Sequence, residues 1–222
     1  MEEPSQELEV PVTTTEGKQV PGAYRTMQAG DIKQVVLLHT QAFKEYFHTY
    51  LGPLFLHELY KGILEEPSGI AFVYPNGEQI LGFVAGIGEL KGFYKRLLKR
   101  HPLQFMISLI APILKQPGII TRILRTLAGP AMAEGYESCG TLLYIAVLPE
   151  SRSKGIGKIL VQAFLEESAR QGLKRVNLTT SRDGNDEVHA FYQRLNFTCA
   201  RTLTNQDNRV MNEYVIELKT PN

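Results

Sequence analysis

The chain has 222 residues, of which 43% are hydrophobic and 21% are charged, and its formal net charge is +1. This composition is typical of a globular protein that can bury a core, and the near-zero charge argues against a nucleic-acid binder, which carries a strong basic excess. The two cysteines, Cys139 and Cys199, are too few for a disulfide framework and have no metal-site spacing. We expect Cys199, which falls in a predicted strand, to be a buried structural thiol.

The N-terminal residues have the composition of a tail. Residues 1–22 hold three prolines and no hydrophobic periodicity, which predicts a flexible segment. Met1–Glu9 is acidic and lacks the apolar core of a signal peptide. No apolar run of the sequence reaches the ~18–20 residues that a membrane-spanning helix needs. We therefore expect a cytoplasmic protein.

The next stretch alternates between strand and helix patterns. A strand over Tyr24–Gln28, a helix capped by Asp31 and a helix over Leu54–Glu65 are predicted. Two β-rich runs, Ile70–Tyr74 and Gln79–Ile87, flank an Asn-Gly pair and predict a hairpin.

Two features of this stretch bear on function. His39 lies on the apolar face of the first helix, where we interpret it as a core or cleft-edge residue rather than a catalyst. The aromatic-rich segment Phe43–Leu51 is consistent either with the lip of a substrate site or with simple core packing.

The interval Lys91–Ala133 contains eight basic residues and no Asp or Glu. Pro102, Pro112 and Pro117 are predicted to divide it into short helices. Two interpretations stay open. The segment is either a lid over a substrate cleft, or a surface that docks on an anionic amphiphile, namely a membrane face, a lipid-linked substrate or an acyl carrier protein.

The segment Thr141–Gln171 predicts a buried strand, a basic glycine loop and a long helix. Thr141–Leu148 is a nearly continuous apolar run of strand length, and Pro149 ends it. After the loop, one helical face is formed at i, i+3, i+4, i+7 and i+8 by Ile156, Ile159, Leu160, Ala163 and Phe164.

The loop between these two elements has the features of a phosphate or pyrophosphate cradle. Its glycines let a ligand approach the backbone, and the free N–H groups of the helix start favour an anion. Arg152, Lys154 and Lys158 add three positive charges. A Walker loop has a different spacing, and a dinucleotide fingerprint would need glycine where the chain has Leu160.

The last part of the chain predicts a strand over Lys174–Thr180, a helix after Asn185, and two final strands over Thr198–Leu203 and Val210–Leu218. The side chains that share the inner face of that helix are Val188, Phe191, Tyr192 and Leu195.

Two motifs resemble signatures of the GNAT superfamily of N-acetyltransferases. Val147-x-Pro149-x-x-Arg152-x-x-Gly155-x-Gly157 resembles the family's acetyl-CoA loop. Asn185-x-x-Val188-x-x-Phe191-Tyr192-x-x-x-Asn196-Phe197 resembles its second signature, with Val188 for the usual alanine and Asn196 for the usual glycine.

The resemblance implies an α/β GNAT fold: a mixed, mostly antiparallel central sheet flanked by helices, with a helical insertion between the third and fourth strands. We expect one domain over residues 23–222, interrupted by the basic insertion at 91–135. The implied reaction is direct transfer of an acetyl group from acetyl-CoA to a primary amine of a small molecule or peptide, without a metal.

The resemblance also implies roles for particular residues. Tyr192 would be the catalytic acid that protonates the coenzyme A thiolate, and it would also contact the cofactor. The other residues implied in binding acetyl-CoA are Ile145, Ala146 and Val147 on the strand, Arg152, Ser153, Lys154, Gly155, Ile156, Gly157 and Lys158 on the loop and helix start, and Asn185.

The general base is not assigned, because the position of the glutamate that some family members use is Thr141 here. Glu89, Glu134, Glu137, His39 and a water relay remain candidates. Transfer of a longer acyl group from acyl-CoA or acyl carrier protein, and a non-catalytic CoA-binding module, are the alternative functions. A homodimer also stays open.

Overall fold

The computed structural model describes residues 23–44, 46–128, 138–205 and 208–219. The strands within these ranges are β1 (Arg25–Thr26), β2 (Gly69–Asn76), β3 (Gln79–Ile87), β4 (Cys139–Val147), β5 (Arg175–Ser181), β6 (Thr198–Thr204) and β7 (Val210–Glu217). They form one sheet in the order β1-β2-β3-β4-β5-β7-β6. Within it β4 and β5 run parallel, and the other neighbours are antiparallel. The predicted mixed, mostly antiparallel sheet is confirmed; the predicted tail over residues 1–22 lies outside the described ranges.

Helices cover both faces of this sheet. They are α1 (Ile32–Ala42), α2 (Phe47–Tyr50), α3 (Pro53–Glu65), α4 (Phe93–Arg100), α5 (Pro102–Lys115), α6 (Ile120–Ala128), α7 (Ile156–Arg170) and α8 (Asp186–Arg194). One core cluster lies between the sheet and α1, α3 and the α4–α6 helices, and a second lies against α7 and α8. None of the helices in the described ranges is both long and apolar enough to cross a membrane.

The helical insertion between the third and fourth strands is confirmed as α4, α5 and α6. One detail of the prediction is wrong, because Pro112 lies inside α5 and does not end it. A proline removes one helical hydrogen bond, but Pro112 is buried together with Phe105 and Leu109 on the side of α5 that faces the core. Their packing compensates for the missing bond.

The expectation for Cys199 is also wrong, since this thiol is exposed. Cys199 lies on β6, which is the last strand of the sheet and is exposed along almost its whole length. A strand pattern alone does not distinguish an edge strand from a central one. Cys139, on the central strand β4, is the buried cysteine, and burial raises its pKa to about 11.

A buried polar network joins four strands where the pairing of β4 with β5 ends. The Thr141 hydroxyl donates to Asn177 Oδ1 at 2.8 Å, and Asn177 Nδ2 donates to Glu213 Oε1 at 2.8 Å. Arg201 Nε donates to the second carboxylate oxygen at 2.6 Å. Thr141, Asn177 and Glu213 are all buried, so the network satisfies groups that would otherwise be costly inside the protein.

We expect Asn177→Ala to lower the free energy of unfolding by about 2–4 kcal/mol, because it leaves both the Thr141 hydroxyl and one Glu213 oxygen without their partner. Urea unfolding measures the change. Asn212→Ala is the matched control, since the Asn212 amide accepts an exposed bond from Thr202 at 3.0 Å, and it should cost less than about 1 kcal/mol. Equal losses in the two variants would contradict the role given to this network.

Candidate active site

The loop before α7 adopts a conformation that exposes its backbone N–H groups. Ser153 and Gly155 both have left-handed backbone angles, with φ of 61° and 79°. Such turns, followed directly by a helix start, leave consecutive N–H groups pointing outward and form a concavity for an anion. The first backbone hydrogen bond of α7 is donated by Ile159 N to Gly155 O at 3.1 Å. The N–H groups before it have no partner within the helix; they belong to Ile156, Gly157 and Lys158.

The side chains around this loop add positive charge that nothing nearby neutralises. Arg152, Lys154 and Lys158 are exposed. Within the part of the chain that the structure describes, none of the three forms an ion pair with a carboxylate. The loop therefore combines outward N–H groups with three available cations, which is the chemistry that binds a pyrophosphate.

Gly157 stands at this helix start for a reason other than backbone conformation. Its φ is not left-handed, and an added Cβ would meet the Phe191 ring at 3.4 Å and Val147 at 3.9 Å, which are ordinary contacts. Neither conformation nor packing therefore requires glycine here. A ligand that approaches the backbone closely would require it.

Beside the loop, the sheet opens between β4 and β5. Their parallel pairing extends from Cys139 opposite Arg175 only to Thr141 opposite Asn177. Beyond that point β4 pairs with β3 alone and β5 with β7 alone. A bulge at Leu143, where the register between β3 and β4 shifts, marks the start of the separation.

The backbone of β4 past the bulge offers hydrogen-bonding groups to this opening. Leu148 N donates to Leu81 O on the β3 side at 2.8 Å. Because successive residues of a strand direct their N–H and C=O groups to opposite sides, Ala146 faces β3, and Ile145 and Val147 face the opening. The backbone of Ala146 is thus already paired with β3, whereas Ile145 and Val147 have backbone groups that face the opening; that Ile145–Val147 bind a cofactor stays a prediction.

Tyr192 lies on α8 with its ring in the second core cluster. Its neighbours are Phe197, with ring centroids 5.5 Å apart, and Tyr214, at 5.9 Å. Burial, together with the charge of nearby Tyr46, raises the pKa of Tyr192 well above the usual value of a phenol. Among the described residues, none accepts a hydrogen bond from its hydroxyl.

Asn185 precedes α8 and is used in part by the fold itself. Its Nδ2 donates to the Thr180 hydroxyl at 2.6 Å and to the Ser181 carbonyl at 3.2 Å, which fixes the connection from β5. Among the described residues, none donates a hydrogen bond to its amide oxygen. At the other end of α8, Asn196 is left-handed, with φ of 64°, as expected for a residue in the place of a glycine.

Sequence reasoning missed a cluster of tyrosines and histidines on the face of the sheet opposite α7. The Tyr144 hydroxyl lies 2.6 Å from His48 Nδ1, and the Tyr60 hydroxyl lies 2.7 Å from His39 Nδ1. The Tyr144 ring is 4.9 Å from the ring of His39 and 5.9 Å from that of Tyr60. We call these four residues, together with Tyr94 stacked 6.2 Å from His48, the Tyr–His cluster. The available signal in the sequence was Tyr144, the one aromatic residue of strand β4.

The histidines of this cluster are neutral at pH 7. Burial and the charge of Arg122 lower the pKa of His48 to about 4, and burial and His48 lower that of His39 to about 3. Among the described residues, neither Nε2 atom has a hydrogen-bond partner although both are buried. Such unpaired groups are uncommon in a pure packing core and are typical of sites that contact a ligand or water.

The Tyr–His cluster and Tyr192 approach each other across the opening. Phe43 lies 6.0 Å from the Tyr144 ring and 5.6 Å from that of Tyr46. Tyr46 in turn lies close enough to influence the pKa of Tyr192. Phe43 and Tyr46 therefore lie between the cluster and the acid predicted on α8.

The structure narrows the search for a general base. His39 is completely buried, as its position on an apolar helix face indicated, and its Nδ1 is already engaged with the Tyr60 hydroxyl at 2.7 Å. Glu89 is exposed beside Ser68, at the end of the sheet where α7 terminates rather than where it begins. Glu134 and Glu137 lie outside the described residues.

Three solved structures resemble this fold over nearly their whole length. Ard1 from Thermoplasma volcanium is 19% identical, with a TM-score of 0.59, and the match covers 90% of this chain and 99% of that one. A ribosomal-protein-alanine N-acetyltransferase from Brucella melitensis is 13% identical, with a TM-score of 0.59 and coverages of 88% and 99%. An aminoglycoside 6'-N-acetyltransferase solved with coenzyme A is 14% identical, with a TM-score of 0.57 and coverages of 90% and 99%. The comparison with curated proteins finds no match.

This chain thus shares its fold with two proteins that are described as N-acetyltransferases. The sequence places the chain more closely: the model of the acetyltransferase (GNAT) family matches residues 32–197, and the chain belongs to that family. It is an N-acetyltransferase, of a family that uses acetyl-CoA.

Proposed function

We propose that this chain transfers an acetyl group from acetyl-CoA to a primary amine of a small molecule or a peptide. The observation that carries the proposal is the separation of β4 from β5 after the Thr141–Asn177 pair, directly beside the loop with free N–H groups. The opening leaves the backbone of Ile145 and Val147 available to an extended ligand. Bound acetyl-CoA would supply a thioester whose carbonyl carbon accepts the amine nitrogen, with release of a thiolate.

The residues at the opening fit both ends of this cofactor. The exposed cations Arg152, Lys154 and Lys158, with the N–H groups at the start of α7, would hold a pyrophosphate. Ile145 and Val147 would pair through their backbone with the amide-bearing arm, as a neighbouring strand does. The amide oxygen of Asn185, which has no donor among the described residues, would accept a further hydrogen bond beside α8.

Tyr192 would give its proton to the departing thiolate. Its hydroxyl is not committed to another described residue, and its raised pKa keeps it protonated at neutral pH. The resulting phenolate is unstable in its buried position, so it would be reprotonated from water as the products leave.

The amine would enter from the side of the Tyr–His cluster. Aromatic rings attract ammonium groups before they lose their proton, and the unpaired Nε2 of His48 offers a hydrogen-bonding partner. We propose that Tyr144 and His48 orient the amine next to the Leu143 bulge, and that water carries its proton away.

A screen of amines against acetyl-CoA, with release of thiol as the readout, tests the proposed function. Small polyamines, amino sugars and N-terminal peptides should be included, followed by longer acyl-CoAs with any amine that reacts. Thiol release that depends on the amine supports acetyl transfer. A preference for longer acyl groups would change the assigned donor, and binding of coenzyme A without turnover on any amine would leave a non-catalytic module.

We expect Tyr144→Phe to lower kcat/KM for the amine by about tenfold, the effect of losing one hydrogen bond near the reacting group. The substitution keeps the ring and removes the 2.6 Å contact with His48. Steady-state kinetics at varied amine concentration measures it, with calorimetry to confirm unchanged affinity for coenzyme A. Tyr74→Phe on β2 is the control and should leave kcat/KM unaltered. If Tyr144→Phe only lowers thermal stability, this tyrosine is structural.

A further inference from the structure

Helix α5 is apolar on both of its faces, and one of these faces is exposed in the part of the chain that the structure describes. Phe105 and Leu109 are buried, and the Phe105 ring packs 5.2 Å from that of Phe55 on α3. The opposite side carries five large apolar side chains that are 51–77% exposed, at i, i+3, i+4, i+7 and i+11. We call them the α5 stripe: Leu103, Met106, Ile107, Ile110 and Leu114.

The exposed apolar surface continues beyond α5. Ile120 and Leu124 on α6 are 44% and 61% exposed, and Leu54 at the start of α3 is 65% exposed. A cavity of about 140 Å³ beside the stripe is lined in part by Leu54, Ala111 and Pro112. Exposed leucines and isoleucines are ordinary when scattered, but five on one face of a helix, as in the α5 stripe, mark a surface that contacts a partner or a membrane.

The positive charges of the insertion divide into two groups. Arg96 and Arg100 pair with the buried carboxylate of Glu66 at 2.7 and 3.7 Å, so they hold α4 on the domain. The lysines are different, because Lys95, Lys99 and Lys115 are exposed and form no ion pair among the described residues. Lys95 and Lys99 lie one helical turn apart on α4, which packs beside α5 and α6, and Lys115 ends α5.

This combination fits lipid better than protein. Aromatic and arginine side chains provide most of the binding energy at protein interfaces, where lysine is depleted. The α5 stripe has only aliphatic and methionine side chains, and exposed lysines stand at the end of α5 and on the neighbouring helix α4. The long stem of a lysine can reach from an apolar layer to phosphate groups. That arrangement is typical of helices that lie in the interface of an anionic bilayer.

Two occupants from this chain fit less well. A two-fold contact with a second copy would bring both sets of these lysines into one interface, where their like charges repel and where lysine is normally depleted. Residues 1–22 carry five glutamates and one lysine. However, their few apolar residues are mostly valines, which do not match a stripe of five large apolar side chains.

We propose that α4–α6 form a docking surface for an anionic membrane, with the α5 stripe inserted at the level of the headgroups and Lys95, Lys99 and Lys115 on lipid phosphates. This surface adjoins the Tyr–His cluster, because Arg122 of α6 stacks 3.9 Å from the Phe47 ring beside His48. Docking is independent of acetyl transfer, so either proposal stands if the other fails.

Cosedimentation of the full chain with vesicles tests the docking. Vesicles of phosphatidylcholine alone are compared with vesicles that also contain phosphatidylglycerol, at about 0.1 M and about 1 M salt, where the screening length falls from about 10 Å to about 3 Å. We expect binding to the anionic vesicles at the lower salt and much weaker binding in the other conditions.

Two triple variants separate the contributions. Lys95→Glu, Lys99→Glu and Lys115→Glu together should weaken binding on the order of 10²-fold or more, since each basic residue near an anionic surface contributes about fivefold. Met106→Gln, Ile110→Gln and Leu114→Gln together should weaken it at least 10²-fold through lost apolar burial. Both sets are exposed, so thermal unfolding and the affinity for coenzyme A should be unchanged.

Matched controls lie elsewhere on the surface. Lys33→Glu, Lys174→Glu and Lys219→Glu make the same change in charge at exposed sites outside the insertion, and Leu37→Gln removes a side chain that is 58% exposed on α1. Neither control should alter vesicle binding by more than about twofold.

Several results would overturn the proposal. If the wild-type protein does not bind anionic vesicles, the docking surface does not exist. If the lysine variant and its control lose the same amount of vesicle binding, the attraction comes from overall charge alone. Light scattering that shows a dimer, lost in the stripe variant without an effect on vesicles, makes a second copy the occupant. Binding that requires removal of residues 1–22 makes that segment the occupant.

Discussion

Gly157→Glu is expected to abolish the binding of coenzyme A while the protein remains folded. The substitution places a carboxylate at the second position of α7, among the N–H groups and cations that would hold the pyrophosphate. Its charge repels the phosphates, and its side chain occupies the space through which they approach the backbone. Calorimetry should detect no binding of coenzyme A to the purified variant, and thiol release with any accepted amine should disappear.

The structure indicates why this variant still folds. A Cβ at position 157 makes only ordinary contacts with Phe191 and Val147, and the backbone there suits any residue. Gly157→Ala should therefore be stable and weaken binding less than the glutamate does. Gly30→Glu, at an exposed glycine with nothing within 4 Å of an added Cβ, is the control and should bind normally. Undiminished affinity in Gly157→Glu would refute the cradle.

The elements that the sequence predicted well are those with strong local signals. The Asn-Gly pair between two apolar runs predicted the hairpin, in which Asn76 now faces Gln79 across Gly77 and Glu78. The strand, loop and helix of Thr141–Gln171 emerged at nearly the predicted residues, because apolar periodicity and glycine punctuation act over short distances.

What the sequence could not supply depends on partners distant along the chain. In the sequence, Thr141 indicates only that the glutamate of some family members is missing at this position. In the structure its hydroxyl donates a hydrogen bond to Asn177, whose amide donates one to Glu213. The same is true of His48 and Tyr144, which are 96 residues apart and form one pair. Pairings between strands and loops of this kind follow from the register of the folded sheet, so no local pattern contains them.

The exposure of a predicted helix face was similarly hidden. The sequence of α5 is rich in apolar residues all round, which is typical of a helix buried on every side. The fold covers one side with α3 and leaves the α5 stripe open. A helix buried on every side differs from α5 only in having other elements packed against its second face. Whether such elements are present is a property of the tertiary structure.

Tyr192→Phe is expected to lower kcat by on the order of 10²-fold or more, at the lower end of what a positioned general acid contributes. Phenylalanine keeps the ring packed against Phe197 and Tyr214, and removes only the proton donor. Affinity for coenzyme A should stay within a few fold, as measured by calorimetry, while steady-state thiol release records the loss.

The pH dependence makes this expectation more specific. Burial raises the pKa of Tyr192, so the wild-type donor is protonated throughout the neutral range, and the loss in Tyr192→Phe should be constant from about pH 6 to about pH 9. Tyr214→Phe is the matched control, because its ring adjoins that of Tyr192 and its hydroxyl contacts His189 Nδ1 at 3.0 Å instead. It should leave kcat nearly unchanged. Weaker binding of coenzyme A with unaltered kcat in Tyr192→Phe would instead make this tyrosine a binding residue, and the proton would have to reach the thiolate from water.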